Sequence, residues 1–200
     1  MALIILSENT IMKFEELNEQ QKARALDKHR YINVDYDEWH DFVKDEHHSK
    51  LEAVGFEGVE SRYSGFCSQG DGASFLASNV DIEKFLRSQK RWTHYRALHE
   101  FIRINEITAK VVALPSHYVH YNTTQAELSG DWYIDFTPKQ EALYKELEEE
   151  IDAYITQAGK DYYADLETAY YDLTSDEQVE QTIIANDLDF EETDHSVTYL

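Results

Sequence analysis

Three observations predict an α+β fold. Residues 59–78 and 108–136 alternate apolar and polar side chains at a period of two, and turn residues divide each segment into a hairpin. Beyond Thr137 the period changes: Leu143, Leu147, Ile151, Tyr154, Ala158, Tyr162, Leu166, Ala169 and Leu173 recur at about 3.7 residues, which is helical. Cap and stop residues bracket shorter helical patterns elsewhere. The expected architecture is a small, mostly antiparallel sheet of two hairpins covered by helices, with a long acidic helix toward the C-terminus.

Taken in order, residues 1–11 precede Met12 and read as an extension or an added edge strand. Asn18 and Gln21 have the spacing of a capping box and open a helix to about Arg30. Asp37 caps a second helix, whose Trp39, Phe42, Val43, Leu51 and Val54 fall at helical spacing, with Gly55 as the stop. Val59, Ser61 and Tyr63 then alternate with Glu60, Arg62 and Ser64, and ASFLAS after the glycines is the partner strand. Asn79 caps a short helix carrying Ile82, Phe85 and Leu86, and another from about Thr93 to Asn105 buries Leu98, Phe101 and Ile102. TAKVVALPSHYVHY and AELSGDWYIDF follow as two strands, with Pro115 marking a bend or an edge position.

Thr137 and Pro138 start the long helix, the hydroxyl as cap and proline at the first helical position. It should run for about 35 residues, some ~50 Å, with Gly159 as the point at which it could divide. TSDE at 174–177 is a capping box for a last helix through about Ala185, ahead of an acidic tail. By domain, residues 1–11 are then an extension or edge strand, 12–136 an α+β core, and 137–200 an acidic helical region packed on it.

The chain of 200 residues, 42% hydrophobic and 13% aromatic, can bury a core. Its 40 acidic and 18 basic residues leave a formal net charge of −22, which opposes direct contact with nucleic-acid phosphates or an anionic membrane. Residues 131–200 hold 20 acidic against 3 basic residues, so most of the field comes from the last third. No apolar run approaches the ~20 residues that span a bilayer. The one cysteine, Cys67, rules out an intrachain disulfide and a multi-cysteine zinc site, suits a reducing cytoplasm, and is expected to pack as a small apolar residue.

Two regions could carry function. In CSQGDG, Gly70 and Gly72 could turn backbone N–H groups into an anion-binding concavity, but Asp71 would repel a phosphate, and Asp-Gly between alternating strands equally signals a hairpin turn. His117 and His120 lie three apart, on opposite faces of a straight strand, and could share an ion only across a bend. A ligand pocket or hydrolase centre between the hairpins would be lined by Ser68, Gln69, Asp71, His117 and His120. The second region is the long helix, whose Glu148, Glu149, Asp152, Asp161 and Asp165 are candidates for binding a basic partner as phosphate surrogates, with Tyr154, Tyr162, Tyr163, Tyr170 and Tyr171 beside them. No cofactor and no metal site are expected.

INVDYDEWHDFVKDE, YSGFCSQGDGASF, SHYVHYN and ETAYYDLTSDEQVEQTIIAND, in that order, resemble a family of uncharacterised phage and prophage proteins with an SGFxSQGDGAxF motif and a closing YxxLTSDE segment. Cys67 stands where that family often has an aromatic residue. The resemblance implies a phage setting in the cytoplasm of a bacterial host. There the expected role is non-enzymatic: inhibition of a host defence or nucleic-acid-processing protein through an acidic, nucleic-acid-mimicking surface. The partner would be a host protein with a basic groove, and a second copy of the chain is a further candidate partner.

Overall fold

The computed structural model describes residues 11–131, 133–193 and 196–199. In chain order the elements are β1 (Ile11–Met12), α1 (Glu19–Lys28), α2 (Asp41–Ala53), β2 (Phe56–Tyr63), β3 (Ala73–Val80), α3 (Ile82–Ser88) and α4 (His99–Ile104). They continue with β4 (Thr108–Ala113), β5 (Thr124–Ser129), α5 (Pro138–Leu173), α6 (Asp176–Ala185), β6 (Phe190–Thr193) and β7 (Ser196–Tyr199). This is the expected α+β class. The contacts divide the chain along different lines from its composition, into one unit of Asp41–Glu167 and another made of residues up to His40 with those from Thr168 on.

In the larger unit β2, β3, β4 and β5 form an antiparallel sheet in sequence order. Ala73, Phe75 and Ala77 of β3 point into the core, as period two requires. Between Ala77 and Val80 the β3–β4 register shifts, and this bulge turns Val80 inward, opposite Phe56 of β2. The core gathers Phe56, Phe75, Phe85, Leu98 and Phe101 against Leu147 and Ile151 of α5. Three local expectations shift. Phe42 of α2 is 60% exposed, because Val43 and Leu51 already fill the inward face. Asp81, not Asn79, caps α3 by accepting a hydrogen bond from the Lys84 N–H at 2.9 Å. The helix expected from residue 93 is confined to His99–Ile104, since turns bring Tyr95 into the core before it.

The long helix is continuous over 36 residues. A reciprocal box starts it: Thr137 Oγ1 accepts from the Gln140 N–H at 3.3 Å and Gln140 Oε1 from the Thr137 N–H at 3.0 Å. Gly159 does not interrupt it. It is buried, and Tyr121 and the Ala73 carbonyl lie directly against it. The inward stripe accordingly passes from Ile151 to Ile155 and Gly159, with Tyr154 and Ala158 half-buried beside it.

The smaller unit has its own core of Phe14, Leu17, Ala25, Val179, Ile183 and Phe190, beside a three-stranded sheet in the order β1-β6-β7. The Asn18–Gln21 box opens α1 as expected. At TSDE the cap is Ser175, which accepts from the Gln178 N–H at 3.3 Å, while the Thr174 hydroxyl donates back to the Tyr170 carbonyl. The segment expected as an acidic tail instead forms the β6–β7 hairpin, and Phe190 anchors it. Ile11 and Met12 pair with β6 as an edge strand, while residues 1–10 of the expected extension lie outside the described residues.

Candidate functional site

The β2–β3 and β4–β5 connections, residues 64–72 and 114–123, emerge at the same end of the sheet and pack together. Gly70, at φ +103°, fills the position of the Ser68–Asp71 turn that requires a left-handed residue, and the Asp71 N–H closes that turn on the Ser68 carbonyl at 3.1 Å. A side chain at Gly70 would meet the Tyr118 ring, and one at Gly72 would meet His120 and the Val119 carbonyl. The glycines of the motif thus let the second loop settle on the first. Ser64 joins the two loops, its hydroxyl accepting from the Gly72 N–H at 3.2 Å and donating to the Val119 carbonyl at 3.4 Å.

Asp71 does not serve as the apex of a two-residue turn. Its Oδ2 accepts from the N–H groups of Cys67 and Ser68 at 2.9 and 2.7 Å, which ties the nine-residue loop to itself. Cys67 is exposed rather than packed. His120 pairs through Nδ1 with Asn122 Oδ1 at 2.7 Å. Of the five pocket candidates, His117 lines a cavity of about 120 Å³ beside the loops, with Arg62, Ser74, Ser116 and Thr124, whereas Ser68, Gln69, Asp71 and His120 do not line it. Among the described residues no hydrogen bond joins Ser68, Gln69 or Asp71 to either histidine, and no cluster of three or more His, Cys, Asp and Glu side chains could hold a metal ion.

The five helix candidates do not form a row. At about 100° per residue, Glu148 and Asp152 share one direction and Asp161 and Asp165 another, with the two pairs about 140° apart and Glu149 away from both. Each also has its own local environment. Asp152 Oδ1 accepts from the Ala126 N–H at 2.5 Å and so caps the outer edge of β5. Asp161 accepts from Gln157 Nε2 at 2.7 Å, and Asp165 stands 3.5 Å from Lys50, which Glu46 holds more closely at 2.9 Å. Glu149 is exposed and Glu148 half-buried.

Two other carboxylates on this helix, which spacing did not single out, do structural work. Glu146 accepts from Arg91 at 2.8 Å and pairs with His94, and Glu150 accepts from the hydroxyl of fully buried Tyr95 at 2.7 Å. No local signal marks these pairs, because the partners lie 52 to 59 residues apart in sequence.

Asp161 and Asp165 border a cleft of about 430 Å³ lined also by His47, Lys50, Tyr154 and Tyr162. His47 is stacked on Tyr162 at 4.2 Å and its Nε2 is buried without a hydrogen-bond partner. Burial, reinforced by His48 and Lys50, pushes its pKa down to about 3. Folded His47 thus stays neutral while an unfolded imidazole takes up a proton near 6.5, so stability is lost as the pH falls from 6.5 toward 3. His47→Phe is expected to keep the stack and to show a smaller fall in Tm between pH 7 and pH 4 than the wild type. An equal fall in both would show that His47 does not govern the acid response.

A model of the family described as Domain of unknown function (DUF8835) matches residues 39–176. The chain belongs to the DUF8835 family. The match takes in the whole larger unit, and with it both loops, the small cavity and the cleft beside Asp161 and Asp165. No curated protein and no solved structure matches this DUF8835 chain. Among its described residues no helix is long and apolar enough to cross a membrane.

Proposed function

We propose that this DUF8835 protein acts by binding rather than by catalysis, as a phage-encoded inhibitor that works in the cytoplasm of a bacterial host. Its target is a host defence or nucleic-acid-processing protein with a basic groove, whose access to nucleic acid it blocks without binding nucleic acid itself. The observation that carries this reading is the pairing of Asp161 and Asp165 one turn apart on the rim of a cleft lined by Tyr154 and Tyr162. A lysine or arginine side chain entering there meets Asp161 beside the half-buried Tyr154 ring and competes with Lys50 for Asp165. The net charge of −22 attracts such a partner from a distance, and Glu148 and Glu149 add to that field. Asp152 has a different role, since its carboxylate is committed to β5.

The test is capture from bacterial lysate with the wild type and with the double variant Asp161→Lys/Asp165→Lys. A nucleic-acid-binding protein retained by the wild type at low salt should be weakened about a hundredfold by the double reversal, with the circular dichroism spectrum unchanged. Glu149→Lys should weaken it only a few-fold. Equal capture by all three proteins would refute the cleft as the anchor.

A second reading, a small-ligand site or hydrolase centre at the SQGDG and SHYVH segments, is favoured by the packing of Gly70 on Tyr118 and of Gly72 on His120. In this arrangement Asp71 is held by the Cys67 and Ser68 N–H groups and His120 Nδ1 by Asn122, and no hydrogen bond among the described residues joins Ser68 to either histidine.

A further inference from the structure

The four-stranded sheet ends in β2 on one side and in β5 on the other, and the two edges differ. At β5 the Ala126 N–H donates to Asp152, so that edge is closed from within the chain. At β2 the pattern follows from one bond. Ser64 donates its N–H to the Gly72 carbonyl at 2.9 Å, and in an antiparallel ladder bonded pairs alternate with unbonded ones. The pairs Arg62 with Ser74 and Glu60 with Leu76 therefore carry the bonds to β3, while the N–H and C=O groups of Val59 and Ser61 point away from it. Among the described residues nothing in the chain pairs with these outward groups.

The open run stops at Gly58, whose φ of +59° kinks the strand, and at Glu57, whose carbonyl accepts from the Ser78 hydroxyl at 3.1 Å. Ser61 is held from the core side, where its hydroxyl stands 3.0 Å from His48 Nε2 of α2. The edge is thus ordered before a partner arrives, which lowers the cost of pairing.

An open edge is a template for another strand, and the charges on it decide which strand fits. Glu60 and Arg62 are exposed on the sheet face opposite the core, and the ion pair between them is loose at 3.9 Å. Two copies of this edge can meet antiparallel about a two-fold axis centred on Glu60, Ser61 or Arg62. Centring on Glu60 or Arg62 sets like charges directly opposite, which is destabilising. Centring on Ser61 sets each Glu60 opposite Arg62 of the partner subunit, twice by symmetry. In that register the two Ser61 residues form a bonded pair through their outward N–H and C=O groups. Glu60 and Arg62 then form unbonded pairs, the kind in which side chains come closest. The edge also lies in the more nearly balanced part of the chain, since residues 1–130 hold 20 acidic against 15 basic residues.

We propose that a second copy of this chain docks on β2 and continues the sheet across a two-fold axis at Ser61, with two Glu60–Arg62 ion pairs between the copies. The contact uses none of the residues of the Asp161 and Asp165 cleft, so either can fail without the other.

Sedimentation equilibrium over a concentration series, at about 0.15 M salt to screen the net charge, tests the proposal. The wild type should form a reversible dimer. Arg62→Glu and Glu60→Arg should each weaken it about tenfold, because each breaks both pairs and sets like charges opposite. The double variant Glu60→Arg/Arg62→Glu should restore the dimer, and so should mixing the two single variants. Amide exchange at Ser61 should slow as the wild type is concentrated, and Asp161→Lys/Asp165→Lys should dimerise like the wild type. Because both side chains are exposed, the circular dichroism spectrum should not change. A wild type that stays monomeric throughout overturns the proposal. So does a dimer that the single variants leave undiminished, that the double variant fails to restore, or that Asp161→Lys/Asp165→Lys abolishes. Should a variant unfold, exchange at Ser61 in the wild type decides, and a rate independent of concentration overturns the proposal.

Discussion

Replacing Gly159 by valine is expected to destabilise the protein by about 3 kcal/mol, the upper part of the usual range for overpacking. A Cβ at this position would lie 2.8 Å from the Tyr121 Cβ and 3.3 Å from both the Tyr121 Cα and the Ala73 carbonyl oxygen. These neighbours are backbone atoms or the first atom of a side chain, so no rotamer change moves them aside. The alanine variant is the sharper test, because two effects oppose each other. In an exposed helix, glycine to alanine gains about 1 kcal/mol. Here the close approach should outweigh that gain, and the urea midpoint of Gly159→Ala should fall. A higher midpoint would mean that loop 114–123 yields easily and that its contact with α5 is not what holds it. Since the same loop roofs the small cavity, Gly159→Val should also disturb the amide signals of residues 116–118.

Truncation of Glu150 to alanine is expected to cost about 3 kcal/mol. The Tyr95 ring is fully buried and its hydroxyl donates to Glu150 Oε2 at 2.7 Å, while Arg91 Nε approaches the same oxygen at 3.3 Å. Burial, and next the hydrogen bond to Glu150, raise the Tyr95 pKa, so the phenol stays protonated and remains the donor. Removing the carboxylate leaves that hydroxyl without its acceptor and leaves Arg91 dependent on Glu146. Glu150→Gln retains an acceptor and should cost about 1 kcal/mol. In a double-mutant cycle with Tyr95→Phe, chemical denaturation should give a coupling energy above about 1 kcal/mol. Additivity within about 0.5 kcal/mol would show that the two groups do not act together.

Both expectations concern the long helix, and they alter the account of its acidity. Its carboxylates are not one uniform surface. Glu146 and Glu150 hold the Arg91–Tyr95 segment, Asp152 closes a sheet edge, and Asp161 and Asp165 border a cleft. A reversal at Glu150 or Asp152 would therefore confuse loss of fold with loss of binding, which is why the test of function rests on Asp161 and Asp165.

The sequence by itself determined what is decided within a turn or a strand. The Asn18–Gln21 and Thr137–Gln140 boxes formed as their spacing required, and the alternation at Val59, Ser61 and Tyr63 became a half-buried strand. The 3.7-residue repeat became one helix, and the excess of acidic residues is independent of any fold. Errors at this level were small displacements, such as Asp81 for Asn79, where neighbouring residues compete for the same cap. Tertiary structure alone decided which distant residues come together. It set Gly159 against Tyr121, His47 on Tyr162 and Asp152 on β5. The reason is one of range. Helix and strand periods and caps act over about four residues, whereas these contacts join residues 26 to 115 positions apart. Their geometry follows from how whole elements pack, and one sequence without that packing carries no record of it.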